Sequence, residues 1–167
     1  SGDKVAIVGD NDPEWYWAEF ATQAAGGVPV AMWTDALPAE IKYLASTTDV
    51  KFAVAKDQEQ VDKFLEVKDE LPKLRKVIYW EAKGLVSYEE PLLTSFAQVV
   101  ELGREEDGKH PGLFEQMVGR VSGDDYSVIL FTSGTTGAHP KAGLQTYNSL
   151  SCTTISWLQM ESLNKTY

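Results

Sequence analysis

Residues 5–33 read VAIVGDNDPEWYWAEFATQAAGGVPVAMW, and this stretch decides the predicted fold. It opens with a short apolar run that ends at Gly9, which is typical of a buried parallel strand. Asp12 and Pro13 then predict a helix start, with Asp12 as the N-cap and Pro13 at the first helical position. Gly26-Gly27 ends this helix, and residues 28–33 return to an apolar strand. The stretch therefore predicts a strand–helix–strand unit.

The same alternation of strands and helices continues along the chain. Further strands are predicted at residues 52–55, 77–80 and 128–131. Further helices are predicted to begin near Pro38, after Asp57, near His110 and near Asn148. Such alternation predicts an α/β fold, a layered and mainly parallel sheet with flanking helices. Ligands of these sheets bind beyond the carboxyl ends of the strands, and the loop after Phe131 lies at such an end.

Apolar residues at helical spacing predict which side chains are buried. On the first helix these are Trp17, Phe20, Ala21, Ala24 and Ala25. On the charged helix of residues 57–73, otherwise predicted to be solvated, they are Val61, Phe64, Leu65 and Leu71. After His110 they are Leu113, Phe114, Met117, Val118 and Val121. Core packing is also predicted for Trp15, Trp17, Trp33 and Trp80.

Residues 81–109 are the least regular part of the chain. Gly84, Pro91, Gly103 and Gly108 interrupt them. We expect one short helix around Phe96, Val99 and Val100, followed by a solvated loop at residues 104–107. The tail from Asn148 carries Leu150, Ile155, Leu158 and Leu163 in a helical pattern.

Composition excludes several classes of protein. The chain has 167 residues, of which 43% are hydrophobic, so it can bury one substantial core. Its formal net charge of -10 disfavours nucleic acid as a partner. No apolar run approaches the ~20 residues that span a bilayer. The single cysteine, Cys152, excludes a disulfide within the chain, favours a cytoplasmic setting and is interpreted as a buried structural thiol.

Residues 131–141, FTSGTTGAHPK, have the chemistry of an anion-binding loop. Gly134 and Gly137 let the backbone direct several N–H groups into one concavity. Four hydroxyl residues can donate to phosphate oxygens, and Lys141 adds a positive charge. The hydroxyl residues are Thr132, Ser133, Thr135 and Thr136. An ordinary exposed turn has a similar composition and stays open as an alternative. Neither a Walker A sequence nor a G-x-G-x-x-G sequence is present.

The six residues 132–137, Thr-Ser-Gly-Thr-Thr-Gly, followed by Pro140-Lys141, resemble the signature loop of the adenylate-forming superfamily. This superfamily comprises acyl-CoA synthetases, luciferases and the adenylation domains of peptide synthetases. The resemblance extends upstream over residues 2–7, 11–15 and 25–30. Residues 71–78 and 102–104 are similar to the long-chain fatty acyl-CoA synthetase branch. Altogether the likeness covers residues 2 to about 150.

The resemblance implies a part of the large N-terminal domain of an adenylate-forming enzyme. We expect residues 1–167 to be an incomplete ATP-binding domain without the family's C-terminal domain. Its parts are strand–helix repeats at 3–80, an irregular segment at 81–109, and a helix, strand, phosphate loop and following helix at 110–167. The start at Ser1 rather than Met suggests a cleaved tag or a piece of something longer, although removal of an initiator Met before Ser would give the same start. The family's later motifs, including its Tyr-Gly-x-Thr-Glu segment, are not found before Tyr167.

The resemblance also implies a mechanism and its ligands. Family members couple a carboxylate, here a fatty acid, to ATP with Mg²⁺, and then transfer the acyl group to coenzyme A. Thr132, Ser133, Gly134, Thr135, Thr136, Gly137 and Lys141 are implied to bind the ATP phosphates. Lys141 would neutralise charge during catalysis, and Thr132 would lie near the Mg²⁺ that arrives with ATP. The chain alone is expected to be inactive, to bind MgATP weakly and to self-associate through exposed apolar surface.

Three departures from the family pattern motivate a second hypothesis. Two residues, Ala138 and His139, stand where the family has one, Ala142 replaces a glycine, and Tyr147 replaces a common histidine. A degenerate, non-catalytic nucleotide- or phosphate-binding module would tolerate these changes. A receiver-like or flavodoxin-like domain is ranked lower, because no Asp-ended third strand is evident. The location is predicted to be cytoplasmic, with peripheral membrane association left open.

The remaining polar candidates are weaker. His139 is interpreted as an exposed loop residue and His110 as a helix-start residue. The two histidines and Cys152 lie far apart in the sequence and show no metal-ligand spacing.

Overall fold

A computed structural model describes residues 2–132 and 140–164, and the surroundings of side chains as far as residue 160. Within these residues, seven strands form one sheet. The strands are β1 (Lys4–Val8), β2 (Val28–Met32), β3 (Val50–Ala55), β4 (Lys76–Tyr79), β5 (Leu93–Ser95), β6 (Tyr126–Thr132) and β7 (Lys141–Thr146). The helices are α1 (Pro13–Ala24), α2 (Pro38–Thr48), α3 (Gln58–Val67), α4 (Phe96–Lys109), α5 (Leu113–Val118) and α6 (Tyr147–Asn164).

The strands lie side by side in the order β5-β4-β3-β1-β2-β6-β7. All neighbouring pairs from β5 to β6 are parallel, and only the edge pair of β6 and β7 is antiparallel. The predicted fold class, a layered and mainly parallel α/β sheet, is therefore confirmed. The five predicted strands are present, whereas the short strands β5 and β7 were not predicted.

The two faces of the sheet carry cores of different size. Successive residues of β1 point to opposite faces, so Ala6 and Val8 enter the main core while Ile7 enters a smaller one. Helices α2 and α3 cover the main core with Ile41, Leu44, Val61 and Phe64, all fully buried. This confirms the predicted inward face of the charged helix. Helix α1, with Phe96 at the start of α4, covers the smaller core.

Helix α1 packs against the sheet through small residues rather than through its aromatic side chains. Ala18 and Thr22 are buried, whereas Trp17 is 56% exposed and Phe20 is 61% exposed. Small side chains one turn apart let the helix approach the strands closely, and the bulkier residues then lie beside the contact. The predicted burial of Trp17, Phe20 and Ala21 was wrong. Trp17 instead faces Phe96 of α4, with ring centroids 6.4 Å apart.

Helix α4 includes residues 104–107, which were wrongly predicted to form a loop. Its N-terminus has a capping box, in which the Ser95 side chain accepts from the Gln98 backbone and Gln98 reaches back to Ser95. Charged side chains three apart form ion pairs along the helix, such as Arg104 with Glu101 at 3.0 Å. These local interactions outweigh the helix-weakening effect of Gly103 and Gly108.

The two glycines within α4 provide a test of this helix. A Cβ atom placed on Gly103 or Gly108 would meet no other atom within 4 Å. Alanine restricts the unfolded chain more than glycine does, so we expect Gly103→Ala and Gly108→Ala to raise the free energy of unfolding by about 0.5–1 kcal/mol each. The measurement is urea denaturation of the chain. Gly84→Ala is the matched control; it should destabilise, since Gly84 has φ +83° and its Cβ would lie 2.0 Å from Gln58 Oε1. Unchanged stability in both α4 variants would contradict a continuous helix.

The helices predicted near His110 and Asn148 are present as α5 and α6, but many of their apolar residues are exposed in this chain. In α5, Phe114 is 57% exposed and Val118 43%, so the predicted burial of these two residues was wrong. Leu113, Met117 and Val121 are half-buried. Helix α6 follows β7 directly. Its exposed large apolar residues are Leu150, Ile155, Trp157, Leu158 and Met160. Cys152 on α6 is exposed, so its interpretation as a buried thiol was also wrong.

None of the helices in the described part of the chain combines the length and apolarity needed to cross a membrane.

Candidate functional site

The parallel strands bring several chain segments to one edge of the sheet. The carboxyl ends of β1 to β6 meet there, and β6 ends at Thr132. Thr132 thus lies where ligands of such sheets bind, as predicted. The other predicted phosphate-binding residues, Ser133, Gly134, Thr135, Thr136 and Gly137, lie outside the described residues, as do Ala138 and His139.

Strand β7 places the two ends of the predicted phosphate loop next to each other. Thr132 and Lys141 are direct partners in the antiparallel pairing of β6 with β7. Directly opposite residues in such a pair have Cβ atoms about 4.5–5.5 Å apart. The backbone therefore brings together the two described members of the predicted site, although the sequence alone indicated no strand after Lys141. We call residues 132–141 the 132–141 loop.

Two aromatic residues of the β2–α2 unit contact Phe131, just before this loop, and Pro140, near its end. The ring of Trp33, which follows β2, lies 6.4 Å from the ring of Phe131 at an interplanar angle of 55°. Tyr43 Oη on α2 donates to the carbonyl oxygen of Pro140 at 3.3 Å. Sequence reasoning missed both roles: Trp33 was assigned to the core but is 40% exposed, and Tyr43 is 97 residues from its partner.

The connection between β2 and α2 is itself held by α3. The carbonyl oxygen of Thr34 accepts from Gln60 Nε2 at 3.1 Å and from Lys63 Nζ at 2.7 Å. Gln60 is buried and the Lys63 side chain is only 12% exposed. The prediction of a solvated charged face on α3 is therefore wrong for these two residues. Their bonds hold the segment that carries Trp33 against the main core.

A charged cluster joins the carboxyl ends of β1, β3 and β4. Lys56 Nζ lies 2.7 Å from Asp10 and 3.1 Å from Asp12, and Trp80 Nε1 donates to Asp12 at 3.2 Å. Asp12 does occupy the predicted N-cap position of α1, but its side chain makes no capping bond. Hydrogen bonds from Lys56 and then Trp80 hold the pKa of Asp12 below its usual value. Hydrogen bonds from Asp10 and Asp12 raise the pKa of Lys56. Two carboxylates therefore neutralise Lys56.

The lowered pKa of Asp12 predicts how stability depends on pH. An unfolded aspartate titrates near pH 3.9, so ionised Asp12 stabilises the fold above about that pH. This contribution is lost as the pH falls through the lower folded pKa. We expect Asp12→Asn to destabilise the chain at pH 6 and to destabilise it less at about pH 3, which lies below the unfolded pKa. The measurement is the free energy of unfolding at both pH values. The control is Asp107→Asn on exposed α4, and an equal loss at both pH values in Asp12→Asn would contradict the prediction.

Tyr147, one of the departures from the family pattern, lies far from the 132–141 loop. It follows Thr146, which pairs with Tyr126 at the opposite end of β6. The five residue steps from Lys141 to Thr146 correspond to about 17 Å of strand. Burial, followed by the charge of Asp125, raises the pKa of Tyr147. Of the departures that the structure describes, only Ala142, the partner of Phe131, lies beside the loop.

A second concave feature lies on the face of the smaller core, between α1 and α4. This open groove has a volume of about 650 Å³ and a predominantly apolar lining that includes Trp17, Ala21, Phe52, Phe96 and Val99. It is lined in part by Gly26 and Gly27 at the amino end of β2, so it is separate from the 132–141 loop. Among the described residues, no three His, Cys, Asp or Glu side chains are grouped so that they could hold a metal ion.

Solved structures define the class of this fold. A structure of a putative long-chain-fatty-acid CoA ligase from Rhodopseudomonas palustris has a TM-score of 0.67 and 16% identity, over 96% of this chain and 35% of that chain. The apo structure of Mycobacterium smegmatis MbtA has a TM-score of 0.64 and 25% identity, over 88% of this chain and 24% of that chain. The fold is therefore that of the N-terminal domain of adenylate-forming enzymes.

The family follows from the sequence itself. The model of AMP-binding enzymes matches residues 1–166, so the chain belongs to the AMP-binding enzyme family. Similar relatives are the long-chain-fatty-acid–CoA ligases ACSBG2 of Xenopus laevis, 27% identical over 149 residues, and ACSBG1 of Rattus norvegicus, 29% identical over 155 residues. Each match covers 89% of this chain, but only 19% and 20% of the relative. The chain thus spans about a fifth of the length of these curated relatives.

Proposed function

We propose that this chain is part of the ATP-binding domain of an AMP-forming, long-chain fatty acid CoA ligase. In the first step a carboxylate oxygen attacks the α-phosphorus of ATP, the bond to the leaving pyrophosphate breaks, and an acyl-adenylate forms. In the second step the thiol of coenzyme A attacks the acyl carbon, and AMP leaves. The acid–thiol ligase activity and the long-chain specificity rest on the names of the similar relatives.

The residues proposed to act in the first step are those of the 132–141 loop. Ser133, Gly134, Thr135, Thr136 and Gly137 would cradle the β- and γ-phosphates with backbone N–H groups and hydroxyls. Lys141 would offset the charge that develops on pyrophosphate as it leaves. The pairing of Thr132 with Lys141 at the carboxyl edge of the sheet is the observation that carries this proposal. A threonine and a lysine that pair at the two ends of one glycine-rich loop support a phosphate-binding role for it.

Magnesium fits this arrangement as an ion that arrives with ATP. The exposed Thr132 hydroxyl at the sheet edge is an oxygen ligand of the kind that Mg²⁺ accepts, and Mg²⁺ is commonly held by substrate phosphates together with few protein ligands. When bound, the ion would neutralise phosphate charge. The chain's own part is to orient the phosphates between Thr132 and Lys141.

The test is carboxylate-dependent exchange of pyrophosphate into ATP by the longer protein that contains this chain. Acids from acetate to palmitate form the panel, and the 167-residue chain serves as the negative control. Exchange with long acids alone is the expected result. Exchange with short acids alone would remove the long-chain assignment, and no exchange with any acid from a folded protein would remove the ligase.

A non-catalytic nucleotide- or phosphate-binding module is the second candidate function. It is favoured by Ala142, whose partner in the sheet is Phe131 at the base of the loop, and by the extra residue at Ala138-His139. A module of this kind would bind MgATP without exchanging pyrophosphate. The same assay, combined with a binding titration, therefore separates the two functions.

For the chain taken alone we propose three further properties. It is an incomplete domain and binds MgATP weakly, and a submicromolar affinity in calorimetry would contradict this.

The chain self-associates through the α1–α4 groove and the apolar residues of α5 and α6. A monomer mass that does not change with concentration in sedimentation would contradict this. The protein lies in the cytoplasm, an expectation that rests on the single cysteine. Cell fractionation tests this location.

A further inference from the structure

One strand–helix unit contacts the chain on both sides of the segment 133–139. Trp33 at the end of β2 faces Phe131, and Tyr43 on α2 bonds to Pro140. Both contacts come from the same unit, so one support touches the chain just before the 132–141 loop and near its end.

The support that carries Tyr43 is packed against the main core. On α2, the neighbouring residues Ile41 and Leu44 are fully buried in the main core, and the Tyr43 ring packs against that core. The β2–α2 connection is held at Thr34 by Gln60 and Lys63 of α3. The Tyr43 hydroxyl is thus presented to the loop from a side chain with little freedom to move.

Pro140 is a suitable residue to be held in this way. The proline ring fixes φ near −65° and leaves ψ as the soft rotation of the residue. A hydrogen bond to the Pro140 carbonyl oxygen restricts that rotation, and the same peptide group contains the N–H of Lys141. Tyr43 therefore influences the direction in which Lys141 enters β7 beside Thr132.

We propose that Tyr43 is a positioning residue for nucleotide phosphates, acting through Pro140 on Lys141; this inference rests on the proposed function of the 132–141 loop. Its hydroxyl holds the end of the loop so that the Lys141 ammonium faces the phosphates. The bond length of 3.3 Å exceeds the usual ~2.7–2.8 Å for an O–H···O bond. A neutral hydrogen bond of ordinary strength corresponds to about a 2- to 10-fold change in an equilibrium constant, and we expect an effect toward the lower end.

The test compares Tyr43→Phe with Tyr88→Phe. Tyr88 is a matched control because it also packs against the main core, while its hydroxyl bonds to Asp62 and Gln58, not to the loop. In pyrophosphate exchange by the longer protein, we expect Tyr43→Phe to raise the KM for ATP about 2- to 10-fold and to leave the KM for the carboxylate unchanged. If Tyr43→Phe only damaged the fold, it would reduce the amount of active protein and would not raise the KM for ATP alone.

A second readout needs no ligand. In the 167-residue chain, the amide resonance of Lys141 should shift in Tyr43→Phe and stay in place in Tyr88→Phe, since the bond to Pro140 polarises that peptide group. The role of Tyr43 would be overturned if Tyr43→Phe left the Lys141 resonance or the KM for ATP unchanged. It would also be overturned if the KM for ATP rose equally in Tyr43→Phe and Tyr88→Phe. Absence of exchange in the wild-type protein would instead overturn the proposed function, and the role of Tyr43 would fall with it.

Discussion

Replacing Phe64 with alanine is expected to lower the free energy of unfolding of this chain by about 3–5 kcal/mol. Phe64 is fully buried and is the largest of the completely buried side chains, at the centre of the main core between α3 and the sheet. Alanine would remove the ring and leave a cavity that the surrounding helices and strands fill only in part. Because domains of this size are stable by only about 5–15 kcal/mol, this is the largest single-residue loss we expect.

Denaturation in urea, followed by circular dichroism, measures the effect. Phe114→Ala is the control, since it removes the same ring from a site that is 57% exposed; we expect a change of about 0.5 kcal/mol or less. Phe64→Leu keeps most of the volume and should cost less than about 1.5 kcal/mol. Equal losses in Phe64→Ala and Phe114→Ala would show that α3 does not form the centre of the core.

The parts of the fold that were predictable are those whose sequence signal is local. The apolar run of β1, the proline at the start of α1 and the inward positions Val61 and Phe64 of α3 all follow from period and capping. Each was confirmed. The wrong predictions for α1 concern neighbouring residues of the helix that compete for the same contact with the sheet. Trp17 lies on an apolar stripe, but Ala18 and Thr22 make the contact with the sheet.

The exposed helices show a second limit of sequence reasoning. Periodicity predicts that a helix has an apolar face, but not that something in the same chain covers it. Phe114 on α5 and Trp157 on α6 are exposed at 57% and 62%. In α4 the error has the opposite origin: the charged residues 104–107 resemble a solvated loop in composition, but Arg104 pairs with Glu101 three residues earlier, and this spacing stabilises a helix.

For the candidate site, the sequence predicts phosphate-binding chemistry, which stays a prediction, and it gave little of the geometry. Thr132 and Lys141 were identified from the glycine-rich pattern between them, and their pairing across β6 and β7 supports that choice. Strand β7 itself was missed because its sequence, KAGLQT, contains no β-branched residue before its final threonine. The contact of Tyr43 with Pro140 has no local signal at all, because it depends on the packing of α2.

Lys141→Ala is expected to lower kcat/KM for ATP in pyrophosphate exchange about 10²- to 10³-fold, the loss typical of removing one group that stabilises developing charge. Lys141 is exposed at the neck of the loop beside Thr132. Another cation at this edge of the sheet, Lys56, is already paired with Asp10 and Asp12 and offers little compensation. Lys141→Arg keeps the charge and should therefore recover part of the rate. The recovery should be incomplete, because the guanidinium is larger and differently shaped.

The second step of the proposed reaction provides the sharper control for this variant. Pyrophosphate has already left when coenzyme A attacks, so thioester formation from a supplied acyl-adenylate should proceed in Lys141→Ala at close to the wild-type rate. Lys73→Ala is the matched lysine control, because Lys73 is paired with Asp49 at 2.8 Å near the amino ends of β3 and β4, the edge of the sheet opposite the loop. An equal loss in both steps, or in both lysine variants, would mean that Lys141 supports the fold rather than the departure of pyrophosphate. A loss confined to the first step would assign the charge of Lys141 to the phosphates of ATP.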